Sequence, residues 1–135
     1  MTEEDWTRWA GTVAARLWRK SHRTDQGCIV WDGAKTKARS NATPYGYLRL
    51  KVPGGGERKT MRVHVLAYLV ESICVRELLL AQDRDFDISH RCHNSLCINF
   101  SHLSAEERYV NNSRKTCHNS GQCQGHQAYE DCIFV

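Results

Sequence analysis

Apolar residues recur at helical spacing near the start of the chain. The apolar positions of this stripe are Trp6, Trp9, Ala10, Val13, Ala14, Leu17 and Trp18. Thr2 and Asp5 precede the stripe at the spacing of a capping box, in which Asp takes the place of Glu. The pattern predicts an amphipathic helix that runs to about Arg19, within residues 1–22, with its tryptophans in the core.

The period of the pattern changes to two at Tyr45. One face then carries Tyr45, Tyr47, Arg49 and Lys51, and the opposite face carries Leu48, Leu50 and Val52. Alternation of this kind is typical of a half-buried strand. Residues 53–56 are Pro-Gly-Gly-Gly, which is turn chemistry, and residues 59–65 predict the returning strand. We therefore expect a hairpin over residues 45–66 whose exposed face is aromatic and basic.

The rest of the chain predicts a mixture of helices and strands. Residues 66–82 are largely apolar at helical spacing and predict one or two helices, and residues 86–89 alternate as a strand does. Ser104 and Glu107 form a second capping-box pattern, which predicts a helix from Ser104 to about Lys115. We interpret the 135 residues as a single α+β domain.

Basic residues are concentrated between Gly33 and His64. The whole chain has a formal net charge of +4 at pH 7. The segment contains one acidic residue, Glu57, against eight basic ones: Lys35, Lys37, Arg39, Arg49, Lys51, Arg58, Lys59 and Arg62. Such an excess is typical of a polyanionic partner, although a solvated lysine-rich surface is the plainer interpretation. Because five of the eight basic residues fall on the predicted hairpin, we favour the polyanion.

The compartment decides how the seven cysteines are interpreted. The chain begins without the basic and apolar regions of a secretory signal, and no apolar run approaches the roughly 18 residues of a membrane helix. We therefore expect an intracellular protein, in the nucleus or the cytoplasm, with no membrane partner. Thiols stay reduced there, so clustered cysteines more often bind metal than pair as disulfides.

The C-terminal tail has the composition of a structural zinc site, which takes four tetrahedral ligands. Its candidate ligands are Cys117, Cys123, His126 and Cys132. His118 could replace His126, but it is adjacent to Cys117, and neighbouring residues do not easily reach two corners of one tetrahedron. The tail has little apolar content, so we expect that a covalent or metal link is needed to order it.

A second group of ligands lies in residues 89–103, SHRCHNSLCINFSHL. Three of its members are zinc ligands by type: Cys92, Cys97 and His102. His90 could complete the set locally, or Cys28 could close it from far upstream. The second option uses six of the seven cysteines and leaves Cys74, which we expect to be a small core residue in an apolar helix. Spacing alone does not decide between His90 and Cys28.

The same stretch, followed by a helix that carries Asn111, resembles the motif of the His-Cys box homing endonucleases and of the related HNH endonucleases in the His-Me finger superfamily. The matching positions are Ser89, His90, Arg91, Cys92, His93, Asn94, Cys97, Asn99, His102 and Leu103. Residues 62–68, RVHVLAY, resemble the strand-to-helix segment that precedes the motif in that group. The tail cysteines resemble its second zinc site, so the resemblance extends over about residues 28–132.

The resemblance implies a small zinc-stabilised His-Me finger fold, also called ββα-metal, with an antiparallel DNA-binding hairpin and flanking helices. The ββα-metal motif would occupy residues 86–115, and the zinc-binding tail residues 117–132. His90 becomes the general base, Asn111 a ligand of a catalytic Mg²⁺, and Arg62 a positive charge near the scissile phosphate. The first zinc site becomes Cys28, Cys92, Cys97 and His102, and the second becomes Cys117, Cys123, His126 and Cys132.

The function that the resemblance implies is hydrolysis of phosphodiester bonds by an Mg-dependent endonuclease with two structural zinc ions. The partner is double-stranded DNA, which the hairpin would contact through Tyr47, Arg49, Lys51, Lys59 and Arg62. The alternative is a catalytically inactive, zinc-stabilised DNA-binding module of the same fold. His90 and Asn111 together favour the enzyme, because a module that only binds needs neither. A homodimer and a monomer are both open.

Overall fold

The computed structural model describes residues 1–36, 43–81 and 84–134. Its helices are α1 (Glu3–Arg19), α2 (Val63–Glu71), α3 (Arg76–Leu80) and α4 (Arg108–Ser120). Its strands are β1 (Ser21–Arg23), β2 (Ile29–Trp31), β3 (Tyr47–Leu50), β4 (Lys59–Arg62), β5 (Phe86–His90) and β6 (Leu103–Glu107). The strands pair antiparallel as β1 with β2, β3 with β4 and β5 with β6. The predicted α+β class is confirmed.

Helix α1 begins at the predicted cap. The Asp5 amide donates to Thr2 Oγ1 at 3.1 Å, and the Thr2 amide donates to the Asp5 carboxylate at 2.9 Å. The helix ends at Arg19, and the next residues form β1, so the predicted interval of residues 1–22 is slightly too long.

The buried stripe of α1 consists of Ala10, Val13 and Leu17, and it packs on α2. The prediction that all three tryptophans lie in the core is wrong for Trp18, which is 53% exposed. Trp6 and Trp9 are half-buried, and of these two it is Trp9 that packs against the core. Consecutive helix residues are about 100° apart, so Trp18 follows Leu17 around the helix and away from the stripe.

The basic hairpin forms as β3 and β4, and its register pairs Tyr47 with Arg62 and Leu50 with Lys59. The returning strand was predicted to continue to Val65, but α2 begins at Val63. The segment from Val63 to Leu69 is buried on nearly all sides. A short apolar run of this kind does not distinguish strand from helix by its period, and here packing against α1 decides.

The second half of the chain differs from its prediction at the start of α4. Residues 103–107, which include the second capping-box pattern, form β6 and pair with β5 from Phe86↔Glu107 to His90↔Leu103. The backbone groups of these residues therefore form hydrogen bonds between β5 and β6 instead of within a helix. Helix α4 begins at Arg108 and extends beyond the predicted end, to a C-cap at Gly121 in the left-handed conformation.

The apolar segment 66–82 also divides differently from the prediction. Helix α2 ends at Glu71, and a 3₁₀ turn over Ile73–Val75 leads into α3. Cys74 lies in that turn and is exposed, so its predicted place in the core is wrong. The core forms instead around Trp31, Leu66 and Leu69, which have no exposed surface.

Candidate functional site

The first Cys/His cluster consists of Cys28, Cys92, Cys97 and His102, all of them buried. Their four ligand atoms lie within 4.8 Å of one another. Nδ1 of His102 is 3.6 Å from Cys28 Sγ and 3.7 Å from Cys97 Sγ. Ligands of a tetrahedral zinc ion are about 3.6 Å apart for a sulfur and a nitrogen, given the usual bond lengths. The donor set therefore fits zinc, and it is Cys28 rather than His90 that completes it.

Cys28 reaches this cluster because β2 lies beside the loop that carries Cys97. Val30 and Cys97 form an antiparallel bridge, and the Ile98 amide donates to the Ile29 carbonyl at 2.7 Å. The Asn99 side chain donates to the carbonyl of Gly27, the residue before Cys28, at 2.8 Å. The first cluster therefore joins the N-terminal part of the chain to the loop that follows His90.

The second cluster consists of Cys117, Cys123, His126 and Cys132, again with all ligand atoms within 4.8 Å of one another. Nε2 of His126 is 3.6, 3.5 and 3.4 Å from the sulfurs of these three cysteines in chain order. These separations are also those of a tetrahedral Cys₃His zinc site. His118 is exposed and is not a member of the cluster.

Two side chains of α4 contact the second cluster from outside. Ser113 Oγ donates to the Val110 carbonyl at 2.6 Å and lies 2.8 Å from Nδ1 of His126. The hydroxyl proton is thus already used, so Nδ1 is the donor and Nε2 is left as the ligand. The Arg114 guanidinium donates to Cys132 Sγ at 3.4 Å.

Contacts among the thiols and burial shift the pKa values of several cluster cysteines. A hydrogen bond from Cys92 lowers the pKa of Cys97 to about 5, while burial raises the pKa of Cys28. In the second cluster burial raises the pKa of Cys132 to about 11. Several negative sulfurs cannot stay this close and this buried without a compensating charge, and a divalent cation supplies one.

Arg114 also connects the tail to the β5–β6 pair. It is 2% exposed and forms a bidentate pair with Glu106 of β6, whose side chain is fully buried, and it donates to the Glu130 carbonyl at 2.7 Å. Arg91 holds the same segment by donating to the Asp131 carbonyl at 3.0 Å. The tail is thereby fixed against the strands that lead to His90.

His90 ends β5 and faces a cavity of about 510 Å³. Burial lowers the pKa of His90 to about 4, although the nearby backbone of Cys97 acts in the opposite direction. Nε2 is buried and has no hydrogen-bond partner among the residues that the structure describes. A neutral imidazole in this state has one ring nitrogen free to accept a hydrogen bond.

Asn111, on the first turn of α4, lines the same cavity as His90. Its amide nitrogen donates to Asp87 Oδ2 at 3.3 Å, and Arg108 Nε lies 3.5 Å from Asp87 Oδ1. With the nitrogen engaged, the side-chain oxygen of Asn111 remains available, and oxygen is the ligand that Mg²⁺ prefers. Both residues also line a second, smaller cavity of about 240 Å³, together with Arg62.

The predicted DNA-contacting residues lie on the hairpin, but not all on one face. Tyr47 and Arg49 share a face of β3, and Arg62 pairs with Tyr47 on that face. The Arg62 guanidinium lies 4.4 Å from the centre of the Tyr45 ring. Lys59 pairs with Leu50 and so lies on the opposite face, which corrects its predicted place. Lys51 is exposed just after β3, and Lys37 and Arg39 fall outside the described residues.

Three residues near these sites were not assigned a role from the sequence: His64, Asp87 and Arg114. His64 could have been noticed as a single imidazole in an apolar helical segment. Asp87 and Arg114 gave no signal in the sequence. Their contacts with Asn111 and Glu106 form only when α4 packs against β5 and β6.

The fold and the two Cys/His clusters define a small α+β domain of the zinc-stabilised His-Me finger type. A family model described as the zinc-binding loop region of homing endonuclease matches residues 27–133. The chain therefore belongs to this family of His-Cys box type. No curated protein and no solved structure matched the chain significantly. Within the described ranges, none of the helices is long and apolar enough to cross a membrane.

Proposed function

We propose that the protein is an Mg-dependent DNA endonuclease in which His90 is the general base. The proposal rests on one observation: His90 has a ring nitrogen without a partner among the described residues, and its side chain lines the same cavity as Asn111. The imidazole follows a strand, precedes the loop of the first Cys/His cluster, and has a buried Nε2 without a partner among the described residues. A structural histidine would have its ring nitrogens paired, whereas a base needs one of them free for water.

The chemistry of the proposal is activation of water by an imidazole that is fixed in one orientation. Nε2 has no partner among the described residues, so it is the ring nitrogen that is free to accept a proton. In-line attack on a phosphodiester requires that a water molecule lose a proton as it approaches phosphorus, and Nε2 can accept that proton. The first zinc cluster, two residues further along the chain at Cys92, would hold the ring in this place.

Asn111 is the residue that would hold the catalytic cation. Its side-chain oxygen is left free by the bond between its amide nitrogen and Asp87. Mg²⁺ keeps several waters and takes phosphate oxygens, so one protein ligand is a workable number. When bound, the cation would stabilise the charge that develops on the phosphate and on the leaving oxygen. Arg62, in the smaller cavity, would add positive charge near the phosphate.

The hairpin is the surface that we propose for DNA. A two-stranded ribbon fits the major groove, and arginine can contact phosphates or guanine edges there. Arg49 and Arg62 share the face that also carries Tyr47, and Arg62 lines the smaller cavity with His90. Arg62 therefore belongs both to the proposed DNA-binding surface and to a cavity that the proposed base lines. Binding through such cations should weaken as salt concentration rises.

The test is cleavage of supercoiled plasmid by the zinc-loaded protein, with Mg²⁺ or with EDTA, compared between the wild type and His90→Ala. We expect cleavage only with Mg²⁺, and a loss of about 10²–10⁴-fold in the variant, because general-base catalysis is worth about that much. Mass spectrometry should find two zinc ions in both proteins. The matched control is His22→Ala, which removes an exposed histidine on β1 and should cut like the wild type.

Each other outcome has a definite meaning. A His90→Ala protein that cuts like the wild type would remove His90 from the mechanism. A variant that loses one zinc ion would make His90 structural. A wild type that binds DNA in a salt-dependent way but never cuts it would favour the inactive DNA-binding module over the enzyme.

A further inference from the structure

A second histidine lies against His90 and is used by no part of the mechanism above. His64 is on the first turn of α2 and is only 4% exposed. The centres of the two imidazole rings are 4.5 Å apart. Burial of an imidazole without full hydrogen bonding is destabilising, so a histidine at this place in an apolar helix calls for a functional explanation.

His64 resembles His90 in having one buried ring nitrogen without a hydrogen-bond partner. In His64 that nitrogen is Nδ1, which has no partner within the part of the chain that the structure describes. Burial, with His90 and Arg62 nearby, lowers the pKa of His64 well below its usual value. A neutral imidazole has one nitrogen that can only accept a hydrogen bond, and Nδ1 is free for that role.

The cavity that His64 lines is rich in hydrogen-bond donors. It measures about 240 Å³, and its other polar lining residues are Tyr45, whose hydroxyl can both donate and accept, and His90, Arg62, Arg84, Lys115, Asp87 and Asn111. Arginine and lysine can only donate hydrogen bonds. Asp87 is already engaged by Asn111 and Arg108. The cavity is large enough for water, and the two imidazole nitrogens without a partner among the described residues belong to side chains that line it.

We propose that Nδ1 of His64 accepts a hydrogen bond from the attacking water and fixes its orientation. This inference rests on the proposed nuclease function. Water has two O–H groups and two lone pairs. One O–H gives its proton to His90 Nε2, and a lone pair forms the new bond to phosphorus as the 3′ oxygen leaves. The second O–H needs an acceptor, or the water rotates freely and attack is slower. His64 is that acceptor.

The test replaces His64 in the full-length, zinc-loaded chain by asparagine and by glutamine. Asparagine carries a polar atom near the former Nδ1, whereas glutamine carries one near the former Nε2. Under Mg²⁺ we expect His64→Asn to keep kcat within about tenfold of the wild type, and His64→Gln to lose about 100-fold, as misplacement of a reactant does. DNA affinity and zinc content should be unchanged in both variants.

The outcomes separate this inference from the function on which it rests. Equal activity in both variants, whether full or reduced, would mean that only the shape of His64 matters, and would overturn the inference alone. A wild type that binds DNA without cutting overturns the inference together with the nuclease function. If the glutamine variant fails to hold two zinc ions, the asparagine variant decides: kcat within tenfold supports the acceptor, and a 100-fold loss overturns it.

Discussion

The two metal clusters have the same ligands, three cysteines and one histidine, but they close very different lengths of chain. Cys28 and His102 of the first cluster are 74 positions apart. The second cluster lies entirely between Cys117 and Cys132. Closing a long loop removes more conformational freedom from the unfolded chain than closing a short one. The first cluster is therefore part of the architecture of the domain, and the second attaches a tail to it.

The surroundings of the clusters lead to the same distinction. The first cluster is built from fully buried ligands and adjoins the apolar residues Val30 and Phe134. Two ligands of the second cluster, Cys123 and Cys132, are only half-buried, and polar side chains of α4 contact it. Its position depends on contacts such as the Arg114–Glu106 pair, which reach back to β6. Ligand type alone would not have revealed this difference.

The distinction between the two clusters would fail if the domain folded without the first one. Cys97→Ser removes a ligand with no exposed surface. Structural zinc contributes about 10–16 kcal/mol to small zinc-dependent segments, and a whole domain is stable by only about 5–15 kcal/mol. We therefore expect the variant to have no cooperative thermal unfolding transition by circular dichroism.

The control for that variant is Cys74→Ser, which changes a cysteine that is exposed and outside both clusters. It should unfold like the wild type and bind two zinc ions. A Cys97→Ser protein with one zinc ion and an unchanged melting temperature would show that the core folds without the first cluster.

A smaller and more local effect is expected from the second cluster. Cys132→Ser should reduce the zinc content from two ions to one and free the tail after Gly121. Arg114 then loses its bonds to Cys132 and to the Glu130 carbonyl. Bonds to charged groups are worth about 1.5–3 kcal/mol each, so the loss of both should lower the melting temperature by about 10–25 °C while the transition stays cooperative.

Hydrogen exchange gives the decisive measurement for Cys132→Ser. Amides of the tail should exchange rapidly, while those of β5 and β6 stay protected. Equal loss of protection in the tail and in the strands would show that the two clusters form one cooperative unit, and would contradict the distinction between them.

The sequence predicted both clusters of ligands but not how they are held. Cysteine and histidine are rare and chemically specific, so their positions could be grouped before any fold was known. Spacing alone left Cys28 and His90 open, and only the resemblance to the His-Cys box family named Cys28, because the pairing of β2 with the Cys97 loop is contained in no local pattern. The start of α4 was missed for a related reason, since Ser104 has the spacing of a cap but its backbone pairs with β5. Partners distant in the sequence decided both.

The smallest predicted effect concerns the orientation of one ligand of the second cluster. Ser113→Ala removes the hydroxyl that lies 2.8 Å from Nδ1 of His126. Loss of such an outer contact typically lowers metal affinity 10–100-fold, because the ligand ring is no longer held in one orientation. Competition with a chelator should release one zinc ion at a lower chelator concentration than in the wild type, while the other ion, in the first cluster, is an internal reference. Thr116→Ala, an exposed change on the same helix, should leave both affinities unchanged. Equal affinities in Ser113→Ala and the wild type would mean that the three sulfurs around Nε2 orient His126 without help.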